Sequence, residues 1–347
     1  NYYRDRAVWM HNNPYQEPEK SPGQQLYLSA VAPQAHAPYM TAASLWLNGS
    51  NDHHGGHERG CETFKTFKPG VPWDFAVQAR GHHNTEKLGD NCKLWLEKHV
   101  LGENHFWPGR PQSIIKLDSK GVPELHLTPA SQSEIKEIQV FQCLKTSNNI
   151  ARFWRDVDSV RQGNTWVAKL PVMNVDDYVF SYANIRYQND CVLSSDFEAV
   201  IPSKLGKAMA TDKKSDLISG GTGRWSHVGP AEGVGGVQGF RPLDNRRGTK
   251  NIQFSDPKWK APKGSKLSFR FYCTQPQKVV LSANRRFTTE LEITASNDWQ
   301  SMTLPAKQLL SHGVGLSDWS VADSISIMPK PGSDITKIVF AEFKWLE

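Results

Sequence analysis

The sequence predicts a multidomain protein: part of a parallel α/β sheet, then a β-sandwich, then a second all-β module of jelly-roll type. Three observations carry this. Residues 43–100 alternate short apolar runs with stretches of helical spacing, the pattern of strand–helix–strand units. From residue 113 onward short alternating strands are separated by turn residues, as in sandwiches. Two linkers divide these textures: residues 106–111 (FWPGRP), and residues 204–225 with Lys213-Lys214, Gly220-Gly221 and Gly223. The expected domains are therefore 1–106, 107–208 and 209–347. A chain of 347 residues with 12 Trp is long enough for two or three cores.

Residues 1–40 are rich in Pro, Asn, Gln and Tyr and predict loops around a short helix. The run 43–47 (ASLWL) is short and apolar and stops at Asn48-Gly49-Ser50-Asn51-Asp52, which predicts a buried strand. Residues 58–67 have helical composition. A second buried strand covers 73–79 (WDFAVQA) and ends at Gly81. After it, Leu88, Cys92, Trp95, Leu96 and Val100 fall at helical spacing. Strands of the middle module are expected at 113–117, 124–127, 135–143, 165–170, 178–187 and 197–201. Those of the last are expected at 265–273, 278–283, 290–294, 300–304, 324–328 and 337–345. No period of 20–50 residues repeats, which excludes a solenoid.

The first chemical feature is the carboxylate of Asp52, delivered at the C-terminal end of a buried strand, where open parallel sheets build their sites. One strand later, Phe75-Ala76-Val77-Gln78-Ala79-Arg80 ends in Gly81-His82-His83-Asn84. A histidine on that loop can lie beside Asp52, which would fix its tautomer and stabilise its charged form. An acid followed by a histidine, on loops after consecutive strands and closed by an amphipathic helix, resembles the α/β-hydrolase superfamily over residues 25–105. The wording around Asp52 and His82 is similar to the dienelactone-hydrolase and acetyl-xylan-esterase-like branches. The resemblance implies Asp52 as the acid and His82 or His83 as the base, with no cofactor. The superfamily's G-x-S-x-G nucleophile motif does not precede Asp52: Ser21, Ser29, Ser44 and Ser50 lack the flanking glycines. The resemblance thus extends only to the C-terminal half of the fold. An upstream segment or a partner chain is expected to complete the sheet and supply the nucleophile. The start at Asn1, without an initiator Met, points the same way.

A metal site competes with this reading. His53, His54 and His57 adjoin Asp52, and nine of twelve histidines precede residue 106. They lie in a Gly-rich loop without the helical HExxH spacing, so no metal is expected. Histidines lining a polar pocket mouth are the plainer alternative. No CxxC pair occurs among Cys61, Cys92, Cys143, Cys191 and Cys273. Cys61 with Cys92, or Cys143 with Cys191, could form disulfides within a domain.

The middle module carries Phe153-Trp154-Arg155-Asp156, Gly163-Asn164-Thr165-Trp166 and Tyr182-Ala183-Asn184-Ile185-Arg186-Tyr187. It is similar to the β-sandwich that follows the hydrolase domain in some secreted bacterial hydrolases. The last module, with Asn297-Asp298-Trp299 and Gly315-Leu316-Ser317-Asp318-Trp319, resembles the galactose-binding-like jelly rolls attached to carbohydrate-active enzymes. Aromatic faces stack on the C–H face of a sugar ring, so Trp259, Trp299 and Trp319 are the candidate substrate-binding residues, with Trp225 beside them. Most tryptophans in any chain are core.

Net charge is +6, from 41 Lys+Arg against 35 Asp+Glu. Residues 241–270 hold nine Lys/Arg against two Asp, a solvated surface or a face for an acidic glycan. No nucleic-acid reader motif occurs, and no apolar run approaches the roughly 18–20 residues of a membrane span. The sequence therefore predicts part of a secreted or periplasmic serine-type carbohydrate esterase acting on a polysaccharide. The alternatives are a non-catalytic glycan-binding protein and a peptidase of the same superfamily.

Overall fold

The computed structural model describes residues 26, 29–30, 33–52, 56–104, 106–145, 149–219 and 225–347. The chain divides into two compact units, Asn1–Thr211 and Asp212–Glu347. Residues 1–106 and 107–208, expected as separate domains, belong to one unit.

In the first unit, strand β1 (Ser44–Gly49) pairs in parallel with β2 (Trp73–Gln78). Helix α1 (His57–Phe64) connects them, and α2 (Asn91–His99) follows β2. Nine antiparallel strands then run through β3 (Gln112–Leu117), β4 (Pro123–Thr128), β5 (Ile135–Leu144), β6 (Arg155–Val157), β7 (Ser159–Gln162), β8 (Thr165–Lys169), β9 (Val179–Tyr187), β10 (Val192–Ser194) and β11 (Glu198–Val200). They form two sheets: β3-β4-β8-β7, and β10-β9-β5-β6 with β11 also on β9.

Alternation along the strands builds this sandwich. Ile138, Val140 and Leu144 of β5, with Val179, Ala183, Ile185 and Tyr187 of β9, face the other sheet's Ile115, Leu125, Leu127 and Ala168. The opposite face of the same two strands carries Phe141, Cys143, Phe180 and Tyr182, which pack on Phe75 and Val77 of β2, Cys61 of α1 and Trp154. The parallel pair is thus an outer layer on a β-sandwich.

This overturns the α/β-hydrolase reading. Parallel pairing among the described residues is confined to β1 and β2, and every other paired strand is antiparallel. The apolar face of β2 needs no strands from outside the chain. The sandwich covers that face instead. It also closes the β2 edge through side chains: Val77 N–H donates to Ser194 Oγ (2.8 Å), and Asn184 Nδ2 donates to Val77 O (2.9 Å). Asn91, the first residue of α2, grips β10 in turn: its Nδ2 donates to Val192 O (2.6 Å) and Val192 N–H donates to its Oδ1 (2.7 Å). No partner chain is needed to explain this face.

The second unit is also a β-sandwich. One sheet orders β13 (Val228–Glu232), β14 (Gln238–Pro242), β23 (Val339–Leu346), β16 (Lys266–Tyr272) and β19 (Gln300–Pro305), with β12 (Leu217–Ser219) also on β23. The other orders β15 (Thr249–Asn251), β22 (Ile325–Pro329), β17 (Gln277–Ala283), β18 (Phe287–Ile293), β20 (Leu310–Ser311) and β21 (Val314–Gly315). Phe240, Phe269, Phe340 and Phe343 of the first sheet meet Val279, Leu281, Leu291 and Ile327 of the second in one core. All five cysteines of the chain are free thiols, so neither suggested disulfide forms. Among the described residues, no helix is long and apolar enough to cross a membrane.

Candidate functional site

Asp52 and the histidine pair meet as loops at the ends of β1 and β2. Gly49 makes the approach possible: a Cβ there would lie 2.2 Å from His82 O and 2.3 Å from Gly81 O. Asn51 N–H then donates to Gly81 O (2.8 Å). His83 Nδ1 lies 3.1 Å from Asp52 Oδ2, while His82 Nδ1 lies 2.8 Å from the backbone oxygen of Asn51. The carboxylate therefore meets His83 and not His82. Asp52 is buried and the His83 side chain is half exposed. Ser50, the nearest serine in sequence, donates its Oγ hydrogen to Asn51 Oδ1 (3.0 Å) and accepts from Arg80 N–H (2.8 Å). Its hydroxyl is engaged in holding the loop.

Behind this loop the chain is tied down by polar contacts. Asn51 Nδ2 donates to Asn149 O (2.9 Å) and Arg152 O (2.7 Å), and Asn149 Nδ2 donates to Asp52 O. Arg152, fully buried, makes a two-pronged ion pair with Glu58 of α1, at 3.1 and 2.8 Å. Its guanidinium also lies 4.6 Å from the Phe180 ring centre and 5.1 Å from that of Phe197. Burial works to raise the Glu58 pKa, but the charge and hydrogen bonds of Arg152 outweigh it and hold the carboxyl below its ordinary range. His57 is buried among Phe75, Tyr182 and Phe197, and neither ring nitrogen has a hydrogen-bond partner among the described residues. Burial brings its pKa down to about 4, so it is neutral at pH 7. His53 and His54 lie outside the described residues. Among those described, no group of three or more His, Cys, Asp or Glu gathers as a metal site.

The loop bearing His82 and His83 runs between two residues that line a cleft of about 150 Å³, Arg80 and Lys87. The cleft occupies the part of the β10-β9-β5-β6 face that β2 leaves uncovered. Along β5 the face changes from Phe141 to Gln139 and Glu137, and along β9 from Tyr182 to Asn184 and Arg186. Ala79, Leu88, Phe141 and Val192 give it apolar ground. Its polar side chains are held by one another and by nearby backbone. Arg186 donates to Lys87 O (2.6 Å) and Asp190 (3.2 Å), and Arg80 to Trp154 O (3.0 Å) and Asp156 (2.5 Å). Gln78 Oε1 accepts from Lys87 N–H (2.9 Å), and Gln139 Nε2 donates to Glu137 Oε1 (2.8 Å). The sequence reading missed this cleft. Its signal was present as polar residues at alternate positions near one end of each of two strands.

The expected tryptophans are not an exposed stacking row. Trp319 is fully buried, with Nε1 donating to Leu304 O (2.9 Å), and is a core residue, not the substrate-stacking residue expected. Trp225 is buried against Phe240 and Phe343. Trp299 is half-buried. Its Nε1 donates to Val234 O (2.9 Å), the Arg270 guanidinium lies 5.1 Å from its ring centre, and a Cβ on Gly233 would come within 2.3 Å of it. Trp259 is half-buried, and its carbonyl accepts from Trp345 Nε1 (2.9 Å).

No family model matches the chain, and no curated protein matches it. Among solved structures, a bromine derivative of BhCBM56 is similar at 11% identity, covering 28% of this chain and 96% of that one, with a TM-score of 0.20. An exo-β-1,3-galactanase from Phanerochaete chrysosporium is similar at 11% identity, with 69% of this chain and 57% of that one covered and a TM-score of 0.24. A glycan-utilisation protein of Bacteroides ovatus, SGBP-B, in complex with a mixed-linkage heptasaccharide, is similar at 7% identity over 65% of this chain and 70% of that one, with a TM-score of 0.15. This chain spans just over half the length of the galactanase. Scores this low carry no argument about function.

Proposed function

We propose that this protein binds glycans, and that the cleft of the first unit holds one sugar residue. One observation carries the reading: the cleft combines fixed planar hydrogen-bonding groups with an apolar floor. Neighbouring hydroxyls of a sugar are paired donors and acceptors, and the carboxylate of Glu137, the amide of Gln139 and the guanidinium of Arg186 match such pairs. The C–H face of the ring suits Leu88, Phe141 and Val192. Side chains already held in place lose little rotamer entropy on binding. The volume is below the roughly 300–1,000 Å³ of drug-sized pockets, which suits one residue of a polymer. Half-buried Trp259 and Trp299 are the aromatic candidates of the second unit.

The test is affinity electrophoresis of the full chain on gels cast with neutral polysaccharides. Retardation on at least one polymer is expected. Glu137→Ala combined with Gln139→Ala should abolish it, since both side chains are exposed and their loss leaves the fold intact. Retardation that survives this double substitution, or none on any polymer, overturns the proposal.

A further inference from the structure

The second unit carries a separate cluster of hydrogen-bond donors that lacks an acceptor among the described residues. Four of the nine basic residues in 241–270 are in ion pairs: Arg247 with Asp244, Lys258 with Asp212, Lys260 with Asp323 and Arg270 with Glu342. Lys250 is not. Its neighbours Thr249 and Asn251 point into the core, so its own side chain lies on the outer face of β15. The ammonium has no hydrogen-bond or ion-pair partner among the described residues, and residues 220–224, just before Trp225, contain no acid.

Across this face, register places Lys250 opposite Ser326, Ser326 opposite Ser282, and Ser282 opposite Thr288. The hydroxyls of Ser282 and Ser326 are 2.7 Å apart. One hydrogen closes that bond, and the other is left without an acceptor among the described residues. The fourth donor group is Arg285, in the turn between β17 and β18, where Arg286 N–H donates to Ala283 O (3.0 Å). Asn284 and Arg285 both have positive φ, 53° and 58°. Such a turn favours Asn followed by Gly, so an arginine occupies a position where glycine is the unstrained choice. Arg285 likewise has no acid partner among the described residues. Burial, and then the positive charge of Arg285 beside it, bring the Lys250 ammonium down to about 8. Neither cation is paired with an acid among the described residues.

We propose that Lys250, Arg285 and the Ser282–Ser326 hydroxyl pair form a binding site for an oxyanion, the carboxylate or sulfate group of an acidic ligand. Such a group supplies the missing acceptor to both cations and to the spare hydroxyl. The site lies in the other unit from the cleft and stands or falls independently of it.

The experiment titrates sodium sulfate onto the full chain by calorimetry and runs the same protein on polygalacturonate gels at low and high salt. Sulfate binding is expected, and weakens at least tenfold in Lys250→Met and in Arg285→Gly. The glycine variant suits the positive φ and should keep or raise the melting temperature, so its loss of binding is not a loss of fold. Glu137→Ala with Gln139→Ala should bind sulfate as the wild type does. Retardation on polygalacturonate that disappears with salt identifies an acidic polymer as the source of the anion, and sulfate binding without retardation identifies a small free anion. No sulfate binding, or Arg285→Gly and Lys250→Met variants that bind like the wild type, overturns the proposal.

Discussion

His57 is a titratable group inside an aromatic cage, with Glu58 and Arg152 beside it and the charge of Asp196 also acting on it. Its folded pKa of about 4 lies below the ordinary 6.5. The unfolded chain therefore takes up a proton that the folded one refuses as pH falls from 6.5 to 4, and stability drops across that window. At about 1.4 kcal/mol per pH unit the loss is on the order of 3 kcal/mol. Below pH 4.5 the depressed Glu58 adds its own loss, as its carboxylate is protonated. Replacing His57 with Leu removes two unsatisfied nitrogens, so stability at pH 7 should hold or rise and the decline between pH 6.5 and 4.5 should flatten. Urea titrations at several pH values check this, and an unchanged decline would contradict it. Glu58→Ala removes the carboxylate that pairs with buried Arg152 and should cost about 3–5 kcal/mol. Glu58→Leu with Arg152→Met should recover most of that, because it removes both charges together.

At the scale of elements, the parallel pair depends on side chains reaching for backbone. Asn91 satisfies both polar groups of Val192, and Asn91→Leu should cost about 1–3 kcal/mol for each group left buried and unpaired. Faster amide exchange at Val192, with the second unit's amides unaffected, is the signature to look for. These contacts show why local elements were legible while their context was not. Expected strands at 43–47 and 73–79 correspond to Ser44–Gly49 and Trp73–Gln78, and expected helices at 58–67 and 87–100 to His57–Phe64 and Asn91–His99. Periodicity reports which residues are buried. It does not report what buries them, and Phe75 finds Phe180 and Tyr182 about a hundred residues further on. The inference of a missing half-fold failed at that step. The polar alternation of Glu137 and Gln139 with Asn184 and Arg186 was equally visible, but only pairing of β5 with β9 turns two polar stripes into one cleft.

For the whole molecule, two units with separate cores predict two heat-absorption transitions by calorimetry. Acidification from pH 7 to 5 should lower the transition that His57→Leu protects, and leave the other in place. Raising pH from 8 to 10 should favour the second unit. Lys250 sheds its proton in the fold before it does in the unfolded chain, so the folded state gains there. A single transition that shifts as one at both extremes would contradict the division.

The sequence by itself determined the positions of most strands, the two helices flanking β2, the placement of Asp52 and the histidine pair at strand ends, and an excess of positive charge in 241–270. These follow from period, turn chemistry and composition, which are local. Only the tertiary structure decided that the parallel pair is a layer on a sandwich, that Asp52 meets His83 and not His82, that Trp319 is core, and that Lys250 and Arg285 have no acid partner among the described residues. Each of these depends on residues distant in sequence meeting across sheets, where strand register and burial choose the partner.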